Sequence, residues 1–427
     1  MTSSRIPAFY QLSVEERQRR LVAALGLTRE EVETLVAADA LSLDTADLMV
    51  ENAVATFALP FGVGLNFLIN DREYIIPMVV EEPSVIAAAS NAALLARAGG
   101  GFMAEADTGA MIGQIQLVQV PDPAGAVERL GAARQQLLAA AAELTPGLCR
   151  RGAGPRDIEV RLVPSPRGET MVVVHVIVDT GDAMGANATN TLVEGLAPMV
   201  EEIAGGTVCL RILSNLADRR LARAAVRIPV TALGRDGMPG EEVAERMRYA
   251  YELAWADPYR AATHNKGIMN GIDAVAVATG QDWRGIEAGA HAYACRDGAY
   301  RSLTRWAIDD GHLTGTIELP MAVSTVGPVA EAHPRVRLAL RMLGVTSARE
   351  LGGIMAAVGL ASNMAAMRAL ATEGIQKGHM ALHARAVSHA AGARGADAER
   401  LREALIAGGD VKLGRARELL RTLETRS

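Results

Sequence analysis

Five stretches of this 427-residue sequence carry side chains whose types and spacing could do chemistry. Glu81-Glu82-Pro83-Ser84 closes the apolar run 74–80. Adjacent carboxylates there repel one another and can leave one protonated as a general acid. The same residues can be the solvated first turn of a helix, with Pro83 at its first position. Asp182-Ala183-Met184-Gly185-Ala186-Asn187 lies between a strand-like and a helical run. Asp182 reads as the helix N-cap, and the small residues after it let a ligand reach backbone N–H groups that attract a pyrophosphate. A capped, closely packed first turn is the alternative. In 257–271, Arg260 offers a carboxylate fork, Lys266 and Asn270 share a face if the stretch is helical, and the glycines beside them remove bulk. A solvated basic loop would show the same residues. Asp282 reads as the N-cap of a helix at 287–293, after the apolar run 272–278. His379 follows Gly374 and Gly378; it is either a surface or packing histidine or part of a closing lid with flexible glycines.

The elements that must position these groups are read from periodicity. Residues 111–120, 157–163, 171–178 and 207–213 are β-branched strand patterns, and 123–144 and 186–204 are helical. Their order is β-α-β-β-α-β, the ferredoxin-like unit, with a Pro-Arg-Gly turn at 166–168. The first 50 residues read as helices, with Ser13/Glu16 and Thr28/Glu31 matching capping boxes. Residues 79–98 read as helical, interrupted by Pro83 and ended by three glycines. Beyond Asn215 come a helix at 240–255, a glycine-punctuated stretch at 257–298 and a strand-like piece at 315–319 that stops at Pro320. Nearly everything past Val345 is helical, broken at Gly374 and Gly378. The expected fold is α+β: a ferredoxin-like unit inserted into a large helix-rich domain, with a short helical C-terminal appendage.

Composition narrows the function. A net charge of −6 and a pI near 5.8 argue against a nucleic-acid partner. Cys149, Cys209 and Cys295 form no CxxC pair, so no disulfide framework or structural zinc is expected, and a reducing cytoplasm fits. The N-terminus lacks an apolar signal core, and apolar runs such as 171–178 fall far short of the ~20 residues that span a bilayer. No membrane partner is expected. Neither GxGxxG, GxxxxGK[ST], HExxH nor GxSxG occurs. His379 and His383 stand at i,i+4 without an evident third ligand, so no metal is expected.

The combination, in this order, is informative. Glu51-Asn52, Pro60-Phe61-Gly62, Glu82-Pro83-Ser84, 182–187, Ser214-Asn215-Leu216, 257–271, 280–284 and 374–385 closely resemble 3-hydroxy-3-methylglutaryl-CoA reductase in its soluble, class II bacterial form. The resemblance covers essentially the whole chain. It implies the four-electron interconversion of mevalonate plus CoA and 3-hydroxy-3-methylglutaryl-CoA with two nicotinamide cofactors. It implies a large acyl-CoA domain (1–108 and 215–373), an inserted NAD(P)-binding domain (109–214) and a C-terminal flap (374–427). It also implies a homodimer or assembly of dimers with active sites at the subunit interface. Glu82, Lys266, Asp282 and His379 match the family's catalytic residues. Ser84, Arg260 and Asn270 match its substrate-binding positions, and Asp182, Ala183, Met184, Gly185, Ala186 and Asn187 its dinucleotide motif.

One departure concerns the cofactor. NADH-preferring members carry an acidic residue before the proline where this chain has Thr145-Pro146, and it contacts the ribose 2′-OH. Here Glu143 lies two positions earlier, and Arg150 and Arg151 follow, which would suit a 2′-phosphate. The rest of the chain resembles the NADH-dependent, mevalonate-degrading members, so NAD (NADH) is the expected cofactor and NADP the alternative. Two rival readings are a non-catalytic CoA- or nucleotide-sensing module and a one-hydride acyl-CoA dehydrogenase. Retention of all four catalytic residue types speaks against the first. Arg260, suited to a free distal carboxylate, speaks against the second.

Overall fold

The computed structural model describes residues 3–424 except Ala40, Asp236 and Glu373, with only the backbone of Pro328, 375–382 and Glu424. The chain opens with helices α1 (Val14–Leu25), α2 (Arg29–Val36) and α3 (Leu43–Met49). Ser13 caps α1, and Thr28 and Glu31 form a full reciprocal capping box on α2. Strands β1 (Phe61–Ile69) and β2 (Arg72–Val79) then form a hairpin. Asn70 and Asp71 turn it with positive φ, as a two-residue hairpin loop requires.

Here the structure departs from the helical reading of 79–98. Val79 ends β2, and α4 (Val85–Ala96) begins only after Pro83. The segment Tyr74–Val79 is aromatic and aliphatic, with residues 74–78 buried, which suits a strand. Pro77 is tolerated because β2 is a sheet edge.

After β3 (Phe102–Ala106), the chain enters the ferredoxin-like unit as read. Its elements are β4 (Ala110–Val118), α5 (Pro123–Ala132), α6 (Arg134–Leu144), α7 (Pro146–Cys149), β5 (Gly154–Pro164), β6 (Thr170–Asp179), α8 (Ala186–Ala204) and β7 (Thr207–Ser214). The antiparallel sheet runs β5-β6-β4-β7. Ile115, Leu117, Val174 and Val176 bury one face against Leu192 and Leu196 of α8; each such side chain stabilises by ~1.5–3 kcal/mol. Gly113 is required there, since a Cβ would lie 2.4 Å from Val193.

The chain returns through β8 (Leu221–Pro229), α9 (Gly240–Ala256), α10 (Pro258–Ala278), α11 (Trp283–Tyr293), β9 (Thr304–Asp309) and β10 (His312–Pro320). Then come α12 (Pro328–Ala332), α13 (Pro334–Leu343) and α14 (Ala348–Ala371). A second, six-stranded sheet runs β2-β1-β3-β8-β10-β9. It is larger than the sequence disclosed. The fold is α+β, and α14 lies across this sheet. Cβ atoms at Gly352 and Gly353 would already touch Ala106 and Ala104 at 3.5 and 3.4 Å. Among the described residues α14 alone is long and apolar enough to span a bilayer, yet 78% of that window is buried within the fold.

Helices α15 (Ile375–Ala390), α16 (Gly395–Gly408) and α17 (Leu413–Glu424) pack on one another through Ala384, Val387, Leu401, Leu405 and Ala416. Gly374, at φ +81°, precedes α15, whereas Gly378 lies inside that helix and does not break it.

Candidate active site

A cleft of about 930 Å³ opens between the start of α4, one face of α10 and the C-terminal half of α14. Residues 258–278 are one continuous helix rather than a glycine-bounded loop. Asp257 caps it by accepting from the N–H groups of Tyr259 and Arg260, and Pro258 suits its first turn. Gly271 is needed for helix contact, because a Cβ would meet Ser362 Oγ at 2.2 Å. Gly267 faces open space, so it leaves room beside Lys266.

Helical spacing brings Arg260, Lys266 and Asn270 to the cleft wall. Lys266 Nζ donates to Glu82 Oε2 at 2.5 Å. The neighbour that decides the chemistry of Glu82 is thus an ammonium, not the adjacent Glu81 carboxylate, and Glu82 precedes α4 rather than lying in its first turn. Arg260 is half-buried, which lowers its pKa. Among the described residues no carboxylate pairs with it, which leaves a cationic fork for a ligand anion. Ser84 stands at the N-cap of α4 with φ +76°, strained for a residue with a Cβ. Its buried Oγ has no partner, an unmet bond that a polar ligand can satisfy.

Two neighbours in the same stretch serve the core instead. Asn265 is fully buried, donating to Arg301 O and accepting from Leu303 N. His264 Nε2 lies 2.7 Å from Thr304 Oγ1 and 3.0 Å from Asn363 Nδ2. Burial and then Arg260 push its pKa down to about 3, so the ring is neutral. Asn363 and Ser362 of α14 also line the cleft and were missed in the sequence. The only signal was two polar residues inside an Ala/Gly-rich helix.

The residues 182–187 lie outside the lining of that cleft. Asp182 does not cap α8. Its Oδ1 accepts from Ala348 N, at the first turn of α14, and its carbonyl accepts from Thr325 N and Ser324 Oγ. Gly185 occupies the N-cap of α8 at φ +91°, where a Cβ would lie 2.2 Å from Thr180 Cγ2. Asn187 is exposed in the first turn of α8. A loop with small residues at 183, 185 and 186, leading into the free N–H groups of a helix start, fits the pyrophosphate of a nicotinamide dinucleotide.

Asp282 caps α11, accepting from Gly285 N at 3.0 Å, and lies near Asn215. It makes no contact with Lys266: roughly 18 Å of helix separate Lys266 from the end of α10, and Asp282 lies beyond that end. The two expected partners do not meet within one chain. Thr145 Oγ1 donates back to Ala141 O at 2.9 Å, while Glu143, Arg150 and Arg151 are exposed. The side chain of His379 lies outside the described residues; its backbone is in α15.

The chain is similar to known proteins over nearly its whole length. The family model for hydroxymethylglutaryl-coenzyme A reductase matches residues 13–384. Over 424 residues the chain is 49% identical to 3-hydroxy-3-methylglutaryl-coenzyme A reductase of Archaeoglobus fulgidus, covering 99% of this chain and 95% of that protein. It is 34% identical over 351 residues to the probable reductase of Borreliella burgdorferi, covering 80% and 78%. A reductase structure from Streptococcus pneumoniae superposes with a TM-score of 0.84 at 43% identity, covering 98% and 99%. A class II reductase from the same organism, bound to NADPH in open conformations, gives a TM-score of 0.82 at 43% identity, covering 97% and 100%.

Proposed function

The chain belongs to the class II hydroxymethylglutaryl-CoA reductase family, and from that premise we propose which of its residues carry the reaction. It is a nicotinamide-dependent oxidoreductase that interconverts mevalonate plus CoA with 3-hydroxy-3-methylglutaryl-CoA. The Lys266–Glu82 pair on the cleft wall carries the assignment of roles. Residues 1–108 and 215–373 hold the acyl-CoA, 109–214 the dinucleotide, and 374–427 form the flap.

Arg260 receives the distal carboxylate, and Ser84 and Asn270 orient the hydroxymethylglutaryl group. The bound cofactor supplies hydride at the thioester carbon. Lys266 stabilises the oxyanion that forms there, because a cation already fixed beside the carbonyl needs little reorganisation. Glu82 passes to the aldehyde-level oxygen a proton that it takes from the Lys266 ammonium beside its Oε2, and solvent replaces that proton on Lys266. Asp282 tunes Lys266, and the separation within one chain supports a homodimer in which the second copy presents Asp282 together with its dinucleotide site. His379 protonates the departing CoA thiolate.

NAD(H) is the preferred cofactor. Glu143 is exposed at the end of α6 and free to take a ribose diol, whereas Thr145 spends its hydroxyl on the backbone. All three cysteines are free and exposed, which fits a cytoplasmic location. The decisive assay follows reduction of NAD⁺ or NADP⁺ on adding mevalonate plus CoA. No reduction of either would overturn the role assignments. A higher kcat/KM with NADP⁺, moved towards NAD⁺ by Thr145→Asp, would overturn the cofactor choice alone.

A further inference from the structure

Arg220 lies in the link between β7 and β8, where the chain passes from one sheet to the other, and is only 4% exposed. Among the described residues no carboxylate pairs with its guanidinium. Nη1 donates to Ala183 O at 3.1 Å, to Met184 O at 3.4 Å and to Thr180 Oγ1 at 3.3 Å. Nη2 donates to Val323 O at 2.6 Å. Burial lowers its pKa to about 10, so it remains a cation at neutral pH. Its hydrogen bonds all go to carbonyl and hydroxyl oxygens, and the nearby Asp179 and Asp182 carboxylates offset part of the cost of burying it.

The peptide bonds say what is positioned. Those of this loop are trans, and in a trans peptide the N–H points opposite to the carbonyl of the same unit. With the oxygens of Ala183 and Met184 drawn inward to Arg220, the N–H groups of Met184 and Gly185 must leave on the other side. No acceptor among the described residues takes either of them. They are followed along the chain by the free N–H groups of the first turn of α8. The Asp182–Ala348 hydrogen bond fixes the start of the loop, and Arg220 fixes its middle.

We propose that Arg220 is a positioning residue for the nicotinamide dinucleotide: it holds two carbonyls inward so that the Met184 and Gly185 amides face the pyrophosphate, and it places a buried positive charge behind them. The inference rests on reading 182–187 as the cofactor loop. The residue touches no reacting atom, so its loss should appear in cofactor affinity rather than in chemistry.

The test measures KM for the dinucleotide, KM for 3-hydroxy-3-methylglutaryl-CoA, and kcat at saturation of both, on full-length Arg220→Met, Arg220→Lys and Thr180→Val. Arg220→Met should raise the cofactor KM about tenfold or more, Arg220→Lys less, and both should leave the acyl-CoA KM within about twofold. Thr180→Val, which removes the hydroxyl bridging Arg220 and Ala183, should raise the cofactor KM about two- to fivefold. A folded Arg220→Met with unchanged cofactor KM, or an equal loss in both substrates, overturns the proposal. If Arg220→Met does not fold, Arg220→Lys and Thr180→Val decide, and an unmoved cofactor KM in both overturns it. Asn187→Ala separates the two readings. If it raises the cofactor KM while the Arg220 variants do not, only the role of Arg220 fails. If none moves it, 182–187 is not the cofactor loop.

Discussion

Lys266 Nζ lies 2.5 Å from Glu82 Oε2, although 184 residues separate the two in sequence. The cation stands on a long helix and the carboxylate on a short link between β2 and α4. Helix α10 packs on β2 and α4 and fixes the pair from both sides. Lys266 is 57% exposed along its side chain, so the pair is a device of the cleft rather than of the core.

Replacing Lys266 with Ala should therefore cost turnover and not folding. An exposed ion pair contributes only about 0–1 kcal/mol to stability. Loss of a donor to a developing oxyanion lowers rate by ~10²–10³, and loss of a full cation by more. Steady-state kinetics with a thermal melt checks both. Retention of more than a tenth of the wild-type kcat would remove Lys266 from the oxyanion role.

Asp282 and Lys266 lie on opposite sides of the end of α10, so the dimer proposal predicts complementation. Lys266→Ala and Asp282→Asn should each be nearly inactive alone. Mixed by co-refolding or co-expression, half the dimers are hybrids, each with one intact site, and about a quarter of wild-type activity should return. Failure of purified hybrids to recover activity would mean that Asp282 does not act across an interface.

How much of this was legible in sequence depended on whether the signal was local. Alternating β-branched residues and turn glycines disclosed the ferredoxin-like unit, because its pairing partners lie nearby. The six-stranded sheet was largely hidden. β8 reads Leu-Ala-Arg-Ala-Ala-Val, and alanine is poor evidence for a strand. Those alanines are there because α14 lies almost directly on the sheet, with Gly352 and Gly353 against Ala106, Ala222 and Ala104. In the cleft, Lys266 and Asn270 were legible from their helical spacing and Arg260 from its residue type alone. Asp182 was misread because its partner, Ala348, is 166 residues away. Arg220 carries no local motif at all.

His264 should make the protein acid-sensitive from an unexpectedly high pH. Burial, then Arg260, lowers its folded pKa to about 3, whereas the unfolded ring titrates near ~6.5. The unfolded state thus takes up a proton that the native state refuses. Stability contributed above about pH 6.5 is lost as the pH falls towards 3, with a slope of at most ~1.4 kcal/mol per pH unit. Urea unfolding across that range should show the slope, and His264→Gln should flatten it. An identical slope in the variant would assign the acid sensitivity elsewhere.

The proposed thiolate-protonating role of His379 predicts an asymmetry between the two reductive steps. When the thiohemiacetal collapses, CoA leaves as a thiolate that can attack the aldehyde again unless it is protonated. Imidazole, with an ordinary pKa near ~6.5, is the side chain best matched to that transfer at neutral pH. The backbone supports delivery from the flap: Gly374 joins α14 to a helical unit with its own small core, and its φ of +81° is one that other residues rarely adopt. Reorientation there would carry the first turns of α15 towards the cleft, whose lining includes Gly374. His379→Gln should cripple reduction of 3-hydroxy-3-methylglutaryl-CoA while largely sparing reduction of free mevaldehyde, which releases no thiolate. Truncation before Gly374 should reproduce the pattern. Equal losses in both reactions would make His379 a residue that positions the flap or the cofactor, because only proton delivery to the thiolate distinguishes one step from the other.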